Sequence, residues 1–451
     1  MSQPFRLSAI AGACLFAGLS QYAVAGTVDE AKCLAQPDTL KAEACLHTTG
    51  KPFARLHVRS NGEQVVIDKP AVIEGDYAEY LKGDADNLNS PLLLRALENE
   101  GQGLAVSASA VDSANENYTL RLKAKPYDQK PYRGAVMLSN SGPDISGRDI
   151  LSWYHRQLLG QGYVLTTSLT HGFADLRPES KGGKYESAFF SLEKATQYGV
   201  FDAQYLYSEN TSGGTARLYD LGGTTNRFSL GFTQYLLPSL TLRHQLSYTD
   251  RKQDFGAYGI DEKQQFMTYS GKVGYTFAGV DTYLKLTKGL DGKRDYDLIP
   301  LMGTFNPYFW SGEADARTSI ILPQGLVLNL HATGFKGSKD MPSSERFGLG
   351  GAGRGSSHES GLYSGYEGFS YEAQVSRSLA NLNGVVISAS AGLNGSDITT
   401  AIDQDISVMS ARVGVDVGYH DWSIQTSYNK SVMSRNLEDD QRLSVDLVWR
   451  Y

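Results

Sequence analysis

The feature that most constrains this chain is a strict alternation of apolar and polar residues, clearest in its last segment. One face of that segment carries Leu443, Val445, Leu447, Trp449 and Tyr451, and the other carries Arg442, Ser444, Asp446 and Arg450. Successive side chains of a β-strand point to opposite sides, so one side would meet lipid and the other water. The alternation recurs at 240–248, 412–419 and 422–429. An alternating strand that ends on an aromatic residue is typical of a transmembrane β-barrel.

Alternating segments between turn signals number sixteen. They begin near residues 132, 148, 162, 186, 200, 225, 239, 264, 280, 308, 326, 369, 384, 406, 421 and 441. The mean spacing of about 20 residues fits a spanning strand plus its connection. Short links such as 237–239 would be periplasmic turns, and polar stretches such as 250–264 would be extracellular loops. Because open sheet edges cannot lie in lipid, we expect an all-β transmembrane barrel of about sixteen antiparallel strands over residues 129–451.

The composition agrees with a barrel. Glycine (48 residues), tyrosine (27) and aromatic residues overall (11%) are abundant. No apolar run in the mature chain approaches the ~18 residues of a spanning helix. A soluble secreted β-protein would have a similar composition and is the alternative. The formal net charge of -7 argues against nucleic acid as a partner, because phosphate binding needs a basic surface.

The N-terminus has the pattern of a secretory signal peptide. Arg6 supplies a positive charge, residues 7–19 are small or apolar, and Ala23-Val24-Ala25 forms a cleavage site. The apolar run is too short for an uncleaved spanning anchor. We therefore predict removal of residues 1–25, an outer-membrane barrel, and a periplasmic segment before it.

Residues 26–53 contain both cysteines of the mature chain, Cys33 and Cys45. An even pair in an oxidising compartment predicts a disulfide. The bond would join two short helical pieces, at 28–35 and 39–46. A metal site is not expected, because four suitable ligands do not cluster there.

Residues 54–128 have the pattern of a small α/β domain. The expected elements are a strand at 65–75, a short helix at 76–81, a second helix at 91–100, and strands at 104–111 and 118–124. The order β-α-α-β-β is that of a POTRA domain, an order that many small α/β domains share.

The second helix has clear boundaries. Ser90 is a good N-cap, Pro91 suits the first helical position, and Gly101 follows the end. Its predicted apolar face consists of Leu93, Leu94 and Leu97.

One connection, residues 337–368, is far longer than the others, and loops of this length are usually functional or disordered. Its motifs are Ser343-Ser344-Glu345, Phe347, Leu349-Gly350-Gly351, Arg354-Gly355, Ser364-Gly365 and Gly368. They resemble the sixth extracellular loop of two-partner secretion transporters, the TpsB family, which share a superfamily with the BamA barrel-assembly factor. Tyr366 stands where the family has an acid. The resemblance spans about residues 60–451 and includes Asn140, Gly142 and Gly147 at the barrel entry.

In the family this loop folds into the barrel, where its arginine pairs with an aspartate of an F-x-D-x-G motif on the inner wall. The resemblance implies that Arg354 points into the lumen. The counterpart of the motif is 391–395, with Leu393 in place of the aspartate. Glu372 and Asp397 are the candidate partners instead. A plain surface loop with Arg354 in solvent is the alternative.

The resemblance also implies the function. A TpsA-like exoprotein would be captured by the POTRA-like domain, beside the helix bearing Leu93, Leu94 and Leu97, and pass through the lumen. These leucines could equally form the domain core. The other partners would be outer-membrane lipids, lipopolysaccharide and the barrel-assembly machinery that inserts the chain, which we expect to be monomeric. Since residues 26–53 are few, we expect one POTRA domain and no plug helix. A passive porin and a barrel-assembly factor are the alternatives.

Enzyme signals are weak. Residues 348–353 satisfy G-x-G-x-x-G but follow no buried strand and open no helix, so a dinucleotide cofactor is not expected. Residues 356–359, Ser-Ser-His-Glu, are adjacent, whereas a hydrolase triad joins distant positions. A barrel-wall phospholipase using a strand histidine is a less favoured alternative. We expect neither enzyme activity nor cofactors.

Overall fold

The computed structural model describes residues 32–33, 36, 39–49, 53–56, 69–81, 90–112, 117–126, 130–144, 146–237, 239–297 and 301–451. The predicted signal peptide and strand positions 65–67 lie outside these residues. The chain forms two compact units, residues 1–87 with 106–122 and residues 88–105 with 123–451. Within the described ranges, no helix is both long and apolar enough to cross a membrane.

The smaller unit contains helix α1 and most of a four-stranded sheet. The elements are α1 Thr39–Thr49, β1 Phe53–Leu56, β2 Lys69–Gly75, β3 Gln102–Asp112 and β4 Asn117–Pro126. The sheet order is β1-β2-β4-β3, and β2 runs parallel to β4. Cys33 and Cys45 form a disulfide with an S–S distance of 2.03 Å. Cys33, Leu46, Phe53 and Val72 pack together as a buried core.

Helix α2, Pro91–Glu100, has the predicted bounds and belongs to the barrel unit. Gly101 ends it in the left-handed conformation with φ 65°, which glycine adopts without strain. Leu93 and Leu97 are buried, but Leu94 is 54% exposed. The predicted apolar face was therefore wrong at Leu94. The buried stripe passes through Leu93, Ala96 and Leu97, and a turn of about 100° per residue places Leu94 at its edge.

The larger unit is a closed barrel of sixteen antiparallel strands in chain order, with β22 paired to β5. The strands are β5 Tyr132–Ser139, β6 Ile150–Gly160, β7 Tyr163–Gly172, β8 Lys184–Thr196, β9 Gly199–Thr211, β10 Leu221–Leu237, β11 Leu240–Phe255, β12 Ile260–Phe277, β13 Val280–Tyr296, β14 Trp310–Leu322, β15 Leu326–Gly337, β18 Glu367–Leu382, β19 Val385–Thr399, β20 Asp405–Tyr419, β21 Trp422–Arg435 and β22 Gln441–Arg450. The prediction of sixteen strands is confirmed. Short strands β16 Phe347–Leu349 and β17 Tyr363–Gly365 lie in the long loop.

The strands are longer than lipid alone requires. β12 has 18 residues, against about 9–11 for a spanning strand, so it extends beyond the membrane. Ala278-Gly279 and Asn383-Gly384 are tight links with positive φ at both residues, as in type I′ hairpin turns. The short links share one end of the barrel, which is the periplasmic end in barrels of this kind.

The two faces of each strand meet different surroundings. Leu443 is 51% exposed on the outside, whereas its neighbour Arg442 is only 6% exposed. Trp422 and Trp449 stack outside the barrel with ring centroids 5.8 Å apart, as in the aromatic girdle at a membrane interface. The barrel therefore presents an apolar belt to lipid and encloses a polar lumen, which places it in the outer membrane.

Candidate functional site in the barrel lumen

The long loop between β15 and β18 folds onto the inner wall. Its strands β16 and β17 form a small hairpin, with Phe347 opposite Gly365. Phe347 and Leu349 are buried in an apolar cluster whose other buried members are Ile398, Ile406 and Val408. This patch of β19 and β20 is apolar within a polar lumen, so the apolar side chains of the hairpin pack against it.

The tip of the loop is a compact turn that depends on glycine. Its closing hydrogen bonds run from Gly350 N–H to the Arg354 carbonyl (2.8 Å) and from Gly351 N–H to the His358 carbonyl (3.0 Å). Gly355 has φ 97°, and a Cβ there would lie 2.3 Å from Val408 Cγ1. A larger residue at position 355 would push the tip off the wall.

Asn394 on β19 holds the tip. Its Oδ1 accepts hydrogen bonds from the backbone N–H groups of Gly355 (3.1 Å) and Ser356 (2.8 Å). Its Nδ2 donates to Ser356 Oγ at 2.9 Å. Asn394 is 1% exposed, so these bonds are shielded from water and costly to leave unmade.

A second set of hydrogen bonds holds the residues that follow the tip. Ser357 Oγ lies 2.8 Å from Ser410 Oγ, 2.9 Å from Ser431 Oγ and 2.9 Å from His358 Nδ1. His358 Nε2 lies 3.0 Å from the Glu438 carbonyl. Ser357 and His358 are buried, and both ring nitrogens are engaged in these contacts. The pair therefore anchors the loop to the wall.

Arg354 occupies the lumen side of the tip. Its guanidinium carbon lies 4.2 Å from the centroid of the Phe347 ring, a cation–π contact. Among the described residues, no carboxylate forms an ion pair with it. Glu372 shares the inner face with Asn394 across the strand pair, but is not bonded to Arg354.

Two sequence-based assignments need correction. Leu393 is 45% exposed on the lipid side, so the inner-wall residue that meets the loop is its neighbour Asn394. Asp397 lies opposite Phe369, an exposed residue of the outer surface, and so it faces away from Arg354. Adjacent residues of a strand point to opposite faces, so a motif alignment that is off by one residue selects a side chain on the wrong face, as at Leu393.

The stem of the loop reaches the opposite wall. Glu345 forms an ion pair with Arg227 on β10, and Arg251 Nη1 on β11 donates to Ser343 Oγ at 2.7 Å. β10 and β11 are the sixth and seventh strands of the barrel, whereas β19 to β21 are the thirteenth to fifteenth. The loop therefore crosses the lumen from one wall to the other.

Helix α2 is attached to the wall near the periplasmic turns. Arg95 Nε and Nη2 donate to the two carboxylate oxygens of Glu193 on β8, each at 2.6 Å. Asn99, fully buried, donates to Glu193 at 3.2 Å and accepts from Arg156 at 3.3 Å. Arg156 also pairs with Glu98 at 3.1 Å. The sequence did not reveal this network, because pairing between a helix and a distant strand has no local signal.

A cavity of about 610 Å³ lies between α2 and the wall. Its apolar lining includes Leu94, Val200 and Tyr235, and its polar lining includes Asp202 and Arg243, which pair at 2.7 Å. Leu94 lies outside the buried face of α2, so its side chain is available to a ligand in this cavity.

The residues that follow β5 connect the β5–β22 strand pair, which closes the barrel, to the long loop. β5 and β22 pair from Ser139–Asp446 to Ala135–Arg450, and the Asn140 side chain continues the seam by bonding the backbone of Leu443 and Val445 at 2.8 Å.

Beyond that point, Arg442 Nη2 donates to the Gly142 carbonyl at 2.8 Å. Asp144 N–H donates to Glu359 of the loop at 2.9 Å. In the described residues, no group of three or more His, Cys, Asp or Glu side chains could hold a metal ion.

These features define a sixteen-stranded outer-membrane barrel with a lumen-crossing loop. No family model and no curated protein matches the sequence. CdiB from Escherichia coli matches with a TM-score of 0.67 and 14% identity over 92% of this chain and 84% of that chain. CdiB from Acinetobacter baumannii gives 0.62 and 13% over 88% and 74%. BamA from Haemophilus ducreyi lacking POTRA domains 1-3 gives 0.55 and 9% over 91% and 93%. The chain therefore has the CdiB and BamA fold, as the sequence resemblance predicted.

Proposed function

We propose that this protein moves a secreted partner protein across the outer membrane, as two-partner secretion transporters do. The observation that carries the proposal is the lumen-crossing loop, whose Arg354-Gly355 tip is seated on the inner wall. It lies in a barrel with the fold of CdiB, a TpsB transporter. The cargo would be a TpsA-like exoprotein, and each barrel would act as a monomer inserted by the barrel-assembly machinery among outer-membrane lipids and lipopolysaccharide.

Cargo would enter as an extended chain. Strands β1 and β3 are the two edges of the small sheet, and an edge can pair with an extended peptide through main-chain hydrogen bonds. An apolar side chain of the cargo would then occupy the cavity beside Leu94. Leu93 and Leu97 are buried, so they stabilise α2 and do not contact cargo.

Passage would require the loop to move aside. The loop is held by Asn394 on one wall and by Arg227 and Arg251 on the other. Folding of the cargo at the cell surface would supply direction. The transport reaction requires no cofactor and no residue with a catalytic role.

A Leu94→Glu variant tests the entry route. It places a charge in the cavity beside Arg95 and Glu98, so we expect surface display of the exported partner protein to fall about tenfold, the effect of losing ~1.4 kcal/mol of binding. Ile402→Glu, at an exposed loop position, is the matched control. Equal export by Leu94→Glu and wild type, at equal barrel levels, would contradict entry beside α2.

Assembly of other outer-membrane barrels is the second candidate, favoured by the match to BamA. Deleting the gene separates the two functions. Loss of the exoprotein from the surface, with other barrels at normal levels, supports secretion. A general loss of outer-membrane barrels supports assembly, and loss of neither favours a passive pore.

A further inference from the structure

A second lumen cavity, of about 200 Å³, lies between the long loop and the wall that includes β10, β13, β14 and β15. Its charged lining consists of Arg227, Lys285, Arg346, Arg354, Glu313 and Glu345. Four cations thus face two carboxylates. An excess of positive charge on the lining of a cavity favours an anionic ligand.

The two acids are already engaged. Glu345 pairs with Arg227, and Glu313 accepts a hydrogen bond from the Tyr283 hydroxyl at 2.5 Å. In the described part of the chain, neither Lys285 nor Arg354 forms an ion pair.

Arg346 is likewise without a carboxylate partner among the described residues. Its Nη2 donates to two neutral acceptors, Thr304 Oγ1 (2.7 Å) and the Met341 carbonyl (3.1 Å). Its Nε is buried and has no hydrogen-bond partner. A buried donor without an acceptor costs free energy that a bound ligand could recover.

The wall adds to the excess charge. Lys285 on β13 lies directly opposite Lys272 on β12 and, on its other side, directly opposite Glu313 on β14. The Lys272 ammonium sits 3.5 Å from the centroid of the Tyr283 ring. With Lys272 beside the four cations of the lining, positive groups outnumber carboxylates at this wall, an imbalance that a bound anion would reduce.

We propose that this cavity binds a phosphate-like oxyanion. Arg346 and Arg354 would supply guanidinium donors, whose planar geometry suits phosphate. Lys285 would add a point charge, and the hydroxyls of Thr287 and Ser311, which also line the cavity, would complete the contacts. The site does not depend on the cargo, so it stands whether the barrel secretes, assembles or conducts.

Isothermal titration of the purified full chain in detergent with inorganic phosphate at neutral pH tests the proposal. We expect saturable binding at one site, weakened at least about tenfold by Lys285→Gln combined with Arg354→Gln, because each removes a charge-assisted contact. Lys181→Gln, at an exposed loop position, should bind phosphate like the wild type. Acetate, titrated in parallel at equal ionic strength, distinguishes phosphate from the carboxylates of a passing chain.

Arg354→Lys keeps the positive charge but loses the planar guanidinium that can donate two parallel hydrogen bonds, so we expect an intermediate affinity for phosphate. Titration of Arg354→Lys decides the question even if the double variant does not fold. Three outcomes would overturn the proposal: no saturable binding by the wild type, equal binding by wild type and the Arg354 variants, or acetate binding as tight as phosphate.

Discussion

Two elements are attached to the inside of this barrel, and they are attached differently. Helix α2 is held near the periplasmic turns by charged groups, Arg95 with Glu193 and Arg156 with Glu98, which are partly open to water. The loop tip is held by neutral groups around Asn394 and Ser357, which are almost fully buried. Salt weakens charge pairs that water can reach in part, although less than fully exposed pairs, and it leaves buried neutral bonds unchanged. The difference suggests a releasable contact at the entrance and a firmer one in the lumen.

The largest expected effect is on the neutral anchor. Asn394→Leu would leave the buried N–H groups of Gly355 and Ser356 without an acceptor, at about 1–3 kcal/mol for each group. We expect the loop to leave the wall and become sensitive to added protease, with a lower free energy of barrel unfolding in urea. Asn381→Leu, at an exposed position, should change neither reading. An unchanged protease pattern in Asn394→Leu would argue against this anchor.

A smaller effect is expected for the charged anchor. Glu193→Gln removes the charge that both Arg95 and Asn99 contact, which costs about 2 kcal/mol for a charge-assisted hydrogen bond. We expect a spin label on Leu94→Cys to become mobile. Glu186→Gln, which affects an exposed pair with Lys184, serves as control. Should the label remain immobile in Glu193→Gln, the helix is held by other contacts.

Added salt should affect the attachment of α2 and the attachment of the loop tip differently in the wild-type protein. The Debye length falls from about 10 Å at 0.1 M to about 3 Å at 1 M salt. Hydrogen exchange of α2 amides should therefore speed up modestly in 1 M NaCl, while the amides of Gly355 and Ser356 should not change. Equal acceleration at both places would show that the loop anchor also depends on charge.

The smallest effect concerns a third, exposed contact at the loop base. Lys339 pairs with Asp403, to which the Tyr366 hydroxyl also donates at 3.2 Å. The hydrogen bond from Lys339 lowers the pKa of Asp403. A carboxyl with a lowered folded-state pKa contributes stability above its unfolded pKa of about 3.9 and loses it as the pH falls through the folded value. The protection of the amides at 339–341, measured relative to their intrinsic exchange rates, should thus fall only below about pH 4, and Asp403→Asn should abolish that dependence.

Much of the barrel could be predicted from the sequence. Alternation repeated over sixteen segments placed the strands within a few residues, with the largest offsets at β10 and β12, which begin at Leu221 and Ile260. Helix α2 was predicted at its observed bounds because Pro91 and Gly101 act locally on the backbone.

The contacts of the loop were not predictable in the same way. The motif comparison selected Leu393, although the polar phase of β19, which includes Ser390, Asn394 and Ser396, could have pointed to Asn394. Glu193 and Arg156 look like any other polar positions of their strands. Contacts between residues 38 or more apart, such as Asn394 with Ser356, depend on how the closed sheet curves.

The sequence by itself therefore determined the class of the molecule, because alternation and turn residues act within a few positions and lipid permits only a closed sheet. It also determined that a glycine-rich loop with a central arginine interrupts the strands. Only the tertiary structure decided that this loop crosses the lumen, that Asn394 holds its tip, that Arg354 has no carboxylate partner among the described residues, and that α2 is attached to the barrel wall. These facts arise where distant strands face one another across the barrel, and no local pattern records which polar residues will meet there.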